Sequence, residues 1–128
     1  MTQRNIEIMD TIVNELATKS LSEALKTVYV KRTVMIPFNV DKFNVPIEKL
    51  NFPTRTMHCL KRTHLNTVNE VVNYCSESGF KKIRNLGANG GMKMFEILLD
   101  WCWDHMDINQ KTEFLIDTVE RNVGNIRA

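Results

Sequence analysis

The stretch IRNLGANGG, from Ile83 to Gly91, decides how this sequence is read. Three of the five glycines in the 128 residues fall within five positions here, at 87, 90 and 91. Glycine reaches positive φ and admits the close approach of another group, so the cluster is either a plain tight turn or a turn built to meet something. Before it, a short helical turn starting at Ser76 or Ser78 is expected to end at Ile83. After it, Met92 to Met106 has the spacing of one longer helix. Helix, glycine turn, helix is the sequence form of a helix-hairpin-helix, in which turn amides and the N-terminus of the second helix face a phosphate. Gly87 is assigned the tight turn, and Gly90 or Gly91 the close backbone approach. Lys93 adds a cation one turn into the helix. Lys81, Lys82 and Arg84 surround the same stretch and favour phosphate contact over a plain interhelical turn.

Working towards the N-terminus, Pro46 opens a turn of helix, IEKL, and Pro53 suits the first position of the next helix, TRTMHCLKR. In that helix Arg55, His58, Cys59 and Arg62 sit at i, i+3, i+4 and i+7 and share one face, while Met57 and Leu60 lie elsewhere and can bury. Two guanidiniums and an imidazole along one edge suit phosphate oxygens and base edges. THLN makes a short turn, and Asn66 or Thr67 caps a helix carrying Val68, Val71 and Val72 inward. Further out, Ile6, Met9, Ile12, Val13, Leu16 and Ala17 form a helical stripe over residues 4–18. Ser20 and Glu23 form a capping box for a second helix. Val34, Ile36, Phe38 and Val40 alternate, which predicts a short extended segment at 33–40, although Pro37 argues against a central strand. Asp107 or Asn109 caps a last helix with Phe114, Leu115, Val119, Val123 and Ile126 as its stripe. Of Trp101 and Trp103, one is assigned to the core and the other to a flanking helix or a partner. The predicted fold class is all-α, a compact bundle of short helices with flanking terminal helices.

Composition narrows the function. The charge is uneven: residues 46–95 are net +5 and residues 96–128 net −4, against +2 for the whole. A basic middle beside an acidic tail suggests a polyanion partner for the middle. Cys59, Cys75 and Cys102 are odd in number and widely spaced, which is neither a disulfide framework nor a zinc pattern. No metal site and no cofactor are expected. No run of about 18 apolar residues predicts a membrane span, and MTQRNIEIMD lacks the apolar core of a signal peptide. A cytoplasmic location is the expectation. There are no paired carboxylates near a histidine, no GxxxxGK and no nucleophile with a base at suitable spacing, so no enzyme activity is expected.

PIEKLNFPTRTMHCLKRTHLNTVNEVV, residues 46–72, followed by FKKIRNLG, residues 80–87, resembles the C-terminal domain of the bacterial RNA polymerase alpha subunit. The resemblance covers about residues 46–100. It rests on RxxxCLKR and IRNLG at the right separation, and it places the protein with the transcription machinery of a bacterium or a phage. It implies a small helical domain that binds the minor groove of A·T-rich double-stranded DNA and also meets sigma factor and activators. Carried over by position, the family's DNA-contacting arginine is Arg55, its cysteine Cys59 and its hairpin glycine Gly87. The family's helix asparagine is His58 here, its hairpin lysine Asn89, its serine Gly90 and its glutamate Lys93. The turn glycine between the first two main helices is His64, a residue type that tolerates positive φ at some cost.

These features give three expected segments: 1–45, an N-terminal helical extension and connector; 46–106, the DNA-binding domain; and 107–128, an acidic helix packed on it. The expected function is a short stand-alone, non-enzymatic DNA-binding protein of the transcription machinery. It would meet phosphates through the Gly87 hairpin and the minor groove through Arg55, with His58, Cys59, Arg62, Asn89, Gly90 and Lys93 around them. The alternative is a protein-interaction module that binds sigma factor, an activator or an RNA polymerase regulator in place of the true alpha domain. The flanking helices either enlarge the core or pair two copies as a homodimer.

Overall fold

The structure, a computed structural model, describes residues 2–29, 45–78, 83 and 85–125, without the side chains of 75–78 and 88. The expected extended segment at 33–40, the cations Lys81, Lys82 and Arg84, and Ile126 lie outside the described residues. Within them the fold is all-α, with helices α1 (Gln3–Leu16), α2 (Leu21–Val28), α3 (Thr54–Arg62), α4 (Val68–Ser78), α5 (Gly87–Asp104) and α6 (Ile108–Arg121). Short 3-10 turns cover Ile47–Leu50 and Val123–Asn125. No helix among the described residues is long and apolar enough to cross a membrane.

The protein divides into two compact units, Met1–Pro37 with Trp103–Ala128, and Phe38–Cys102. In the first, α1 packs against both α2 and α6. Thr2 caps α1 and Ser20 caps α2, each accepting from the backbone of the third residue on. At α6 the cap is Asp107, in a reciprocal capping box with Gln110. The α1 stripe is rotated from its expected setting. Asn5, Ile8 and Ile12 are buried, while Ile6 and Val13 stay 41% and 48% exposed. The apolar arc of α1 is wider than its neighbours cover, so the packing partner, not the arc itself, selects the buried half. Trp103 and Trp101 are both half-buried. The Trp103 ring lies 6.0 Å from that of Phe114, with Lys111 Nζ 5.1 Å from its centre.

The second unit holds the basic middle of the sequence. Ile47, Leu50, Leu60, Leu65, Val68, Val71, Ile83, Leu86, Met94 and Leu98 are among its buried residues. A strand-like bridge pairs Pro46 with Thr67, with Ile47 N–H donating to Asn66 O at 3.1 Å and Val68 N–H to Val45 O at 2.9 Å. It ties the entry to the first 3-10 turn to the entry to α4. Thr67 is the α4 cap, its hydroxyl accepting from Glu70 N–H at 3.3 Å. The α3–α4 turn closes as a Schellman motif: Leu65 N–H donates to Leu60 O at 2.9 Å and His64 N–H to Lys61 O at 3.0 Å. His64 occupies the left-handed position of that motif with φ 61°.

One expected boundary is corrected. The long helix starts at Gly87, not Met92, and so takes in Gly90 and Gly91. A glycine inside a helix costs about 1 kcal/mol against alanine, and packing outweighs it here. A Cβ at Gly90 would lie 3.0 Å from Leu86 Cδ1, so the missing side chain lets buried Leu86 sit against the first turn of α5. The close approach assigned to this glycine is made by the protein's own core.

Candidate nucleic-acid interface

Helix α3 starts where Pro53 O accepts from Met57 N–H at 3.0 Å. Its sequence sorts the side chains by angle. At roughly 100° per residue, Thr56 and Leu60 point one way and are buried, and Arg55, His58 and Arg62 point the other and are exposed. Cys59 is the exception to the shared face read from spacing. It stands about 40° from Arg55 towards Thr56 and is only 3% exposed. Its thiol therefore packs in the core, and the polar edge of α3 consists of Arg55, His58 and Arg62.

Lys61 lies off this edge. Its ammonium donates to both Glu48 carboxylate oxygens and to Asn66 Oδ1, each at 3.3 Å. That cation is partly neutralised, and the exposed pair is worth little to stability. Among the described residues Arg55 and Arg62 are in no ion pair, so the exposed positive charge of α3 is concentrated there.

The turn before α5 comes next to that edge. Leu86 N–H donates to Ile83 O at 3.3 Å, and both flanking side chains are buried. Asn85 and Gly87 take left-handed backbone conformations, φ 68° and 73°. The space beside Gly87 is open: a Cβ there would meet nothing within 4 Å. Gly87 is thus needed for its φ and not for room, and it is exposed. Asn89 and Lys93 are exposed in the first two turns of α5, and Gly90 is half-buried.

Arg55 Nη2 donates to Asn85 O at 3.0 Å, joining α3 to this turn across thirty residues of sequence. The structure therefore brings Arg55 and the hairpin together directly, while His58 and Arg62 continue the edge along α3. Asn85 is the residue that sequence reasoning passed over. The available signal was an asparagine two places before a turn glycine, since asparagine tolerates positive φ. Chemically the arrangement offers a forked cation beside an exposed helix N-terminus, whose first N–H groups have no intrahelical partner. Such a pairing suits an anionic backbone with an electronegative groove.

Residues 37–98 match the family model for the C-terminal domain of the alpha subunit of bacterial RNA polymerase. The protein is similar to the DNA-directed RNA polymerase subunit alpha of Corynebacterium diphtheriae, 47% identical over 45 residues, which is 35% of this sequence and 13% of that one. The same subunit from Gloeobacter violaceus is 38% identical over 56 residues, 44% of this sequence and 18% of the relative. That of Mycoplasma pneumoniae is 33% identical over 82 residues, 64% and 23%. The protein thus spans less than a quarter of the length of these curated relatives. No solved structure matches it.

Proposed function

We infer, from the match of residues 37–98 to the family model for the C-terminal domain of the bacterial RNA polymerase alpha subunit, that this is a non-enzymatic DNA-binding protein of the transcription machinery. It works in the cytoplasm on double-stranded DNA. The observation that carries the reading is the pairing of Arg55 with the left-handed turn at Asn85 to Gly87. Arg55 enters the narrow, electronegative minor groove of an A·T-rich duplex. The Gly87 turn, the α5 N-terminus, Asn89, Gly90 and Lys93 lie against the flanking phosphates, and His58 and Arg62 extend the contact along α3. Cys59 acts from beneath, by packing α3.

A second reading has support of its own in the terminal unit. Ile6, Val13, Ile108 and Val123 are 41%, 48%, 78% and 52% exposed, within segments rich in acidic residues. Exposed apolar side chains with an acidic surround favour a protein contact: sigma factor, an activator, an RNA polymerase regulator or a second copy of this protein.

Titration of fluorescent A·T-rich and G·C-rich duplexes at two salt concentrations tests the first reading. Tighter binding to the A·T-rich duplex, weakening steeply with salt as counterions are released, is the expected result. Absence of duplex binding at low salt rejects it and leaves the protein-contact reading, which co-purification with RNA polymerase then tests.

A further inference from the structure

The turn at Ile83 to Gly87 has a function in the free protein besides facing a phosphate: we propose that it is the holder of the Arg55 guanidinium, with Asn85 as the positioning residue. The purpose of such a holder rests on the DNA-binding reading above. Its physical content does not, because it concerns the order of one side chain before any ligand arrives.

Three observations combine. The first is anchorage. Ile83 and Leu86 are 2% and 3% exposed, so the turn is pinned to the core on both sides of Asn85. The second is conformation. Asn85 is the third residue of the four-residue turn closed by Leu86 N–H and Ile83 O, and its φ of 68° is one that asparagine and glycine adopt at low cost there. The Asn85 carbonyl shares a planar peptide unit with the Leu86 N–H, which is bonded to Ile83 O, so the carbonyl has little freedom of direction. The third is the bond itself, Arg55 Nη2 to Asn85 O at 3.0 Å. The side chains of His58 and Arg62, exposed on the same edge of α3, make no hydrogen bond among the described residues. Arg55 alone of the three is held.

The bond uses one of the five guanidinium N–H groups and leaves the others for a ligand. A long side chain that is already ordered loses less entropy on binding, which is the gain from preorganisation. The acceptor is a backbone carbonyl, so the Asn85 side chain is dispensable and the left-handed backbone is not. That makes glycine the conservative replacement at 85 and a β-branched residue the disruptive one.

The test uses the full 128-residue protein. The 15N heteronuclear NOE of each arginine Nε is measured without DNA, with Arg62 as the internal comparison. The expected result is an Arg55 Nε as ordered as the α3 backbone, retained in Asn85→Gly and reduced to the Arg62 level in Asn85→Val. If Asn85→Val does not fold, Asn85→Ala replaces it. An Arg55 Nε as mobile as that of Arg62 in the unmodified protein, or one unaffected by the valine, overturns the proposal. On an A·T-rich duplex the valine variant is expected to bind about three- to tenfold more weakly, with Asn85→Gly unchanged, and the loss disappears when Arg55 is already alanine. A valine loss that persists in the Arg55→Ala background also overturns it. If the unmodified protein binds no duplex, the DNA reading falls, and the NOE comparison still decides whether Arg55 is held.

Discussion

Leu86 and Gly90 meet across the start of α5 so closely that a Cβ on Gly90 would stand 3.0 Å from Leu86 Cδ1 and 3.2 Å from Leu86 Cγ. Leu86 is in the core, so a retreat must displace closely packed neighbours. Gly90→Ala gains about 1 kcal/mol of helix propensity and forces an overpacked contact costing roughly 1–3 kcal/mol. The net expectation is a loss of about 1 kcal/mol, read as a Tm lower by about 4 °C in a thermal melt. A higher Tm would show that Leu86 yields freely.

His64 holds φ 61° in the Schellman motif that ends α3. A non-glycine residue pays roughly 1–2 kcal/mol for that conformation, while glycine adds about 0.5–1 kcal/mol of unfolded-state entropy. His64→Gly is therefore expected to stabilise by about 0.5 kcal/mol, and His64→Val to destabilise by more than about 1 kcal/mol. Urea midpoints with unchanged m-values check both.

The α6 capping box depends on Asp107, whose carboxylate accepts from Gln110 N–H at 2.8 Å while Gln110 Oε1 accepts from Asp107 N–H at 2.9 Å. Asp107→Ala is expected to cost about 1 kcal/mol, and Asp107→Asn clearly less, measured by the same melts.

Burial pushes the Cys102 thiol from 9.0 up to about 12 and the Tyr29 hydroxyl from 10.0 up to about 12. Both groups are neutral when protonated, and the fold binds those protons more tightly than the unfolded state does. Their stabilising effect is complete below the unfolded values, near pH 9 for the thiol. It is lost as pH rises towards about 12. Melts between pH 8 and pH 12 are expected to show Tm falling through that window, with a shallower fall in Cys102→Ala. In the native protein at neutral pH, Cys59 and Cys102, both buried and reduced, are expected to resist an aromatic disulfide reagent until denaturant is added.

Much of the interface could be read from residue order. The α3 limits, the turn role of Gly87 and the two caps, narrowed to Asn66 or Thr67 and to Asp107 or Asn109, follow from local chemistry that a sequence displays directly, while the turn position of His64 came from the family resemblance. What could not be read depends on who packs against whom. A glycine cluster looks like a longer turn unless it is known that Leu86 fills the space beside Gly90. Cys59 shares a face with Arg55 by spacing, yet it stands on the core side of that face once α3 is seated. Ile6 and Ile8 are equally apolar, and only the position of the neighbouring helices decides that Ile8 is buried. The bond from Arg55 to Asn85 joins a side chain to a backbone carbonyl thirty residues away, and a carbonyl leaves no mark in residue type.

The most direct test of the central claim is the affinity of Arg55→Ala for an A·T-rich duplex, by fluorescence anisotropy at low salt beside the unmodified protein. A groove-reading arginine is expected to contribute enough that its loss weakens binding about tenfold or more, with discrimination against the G·C-rich duplex reduced and the protein still folded. Equal affinity for the A·T-rich duplex with and without the Arg55 guanidinium would contradict the account.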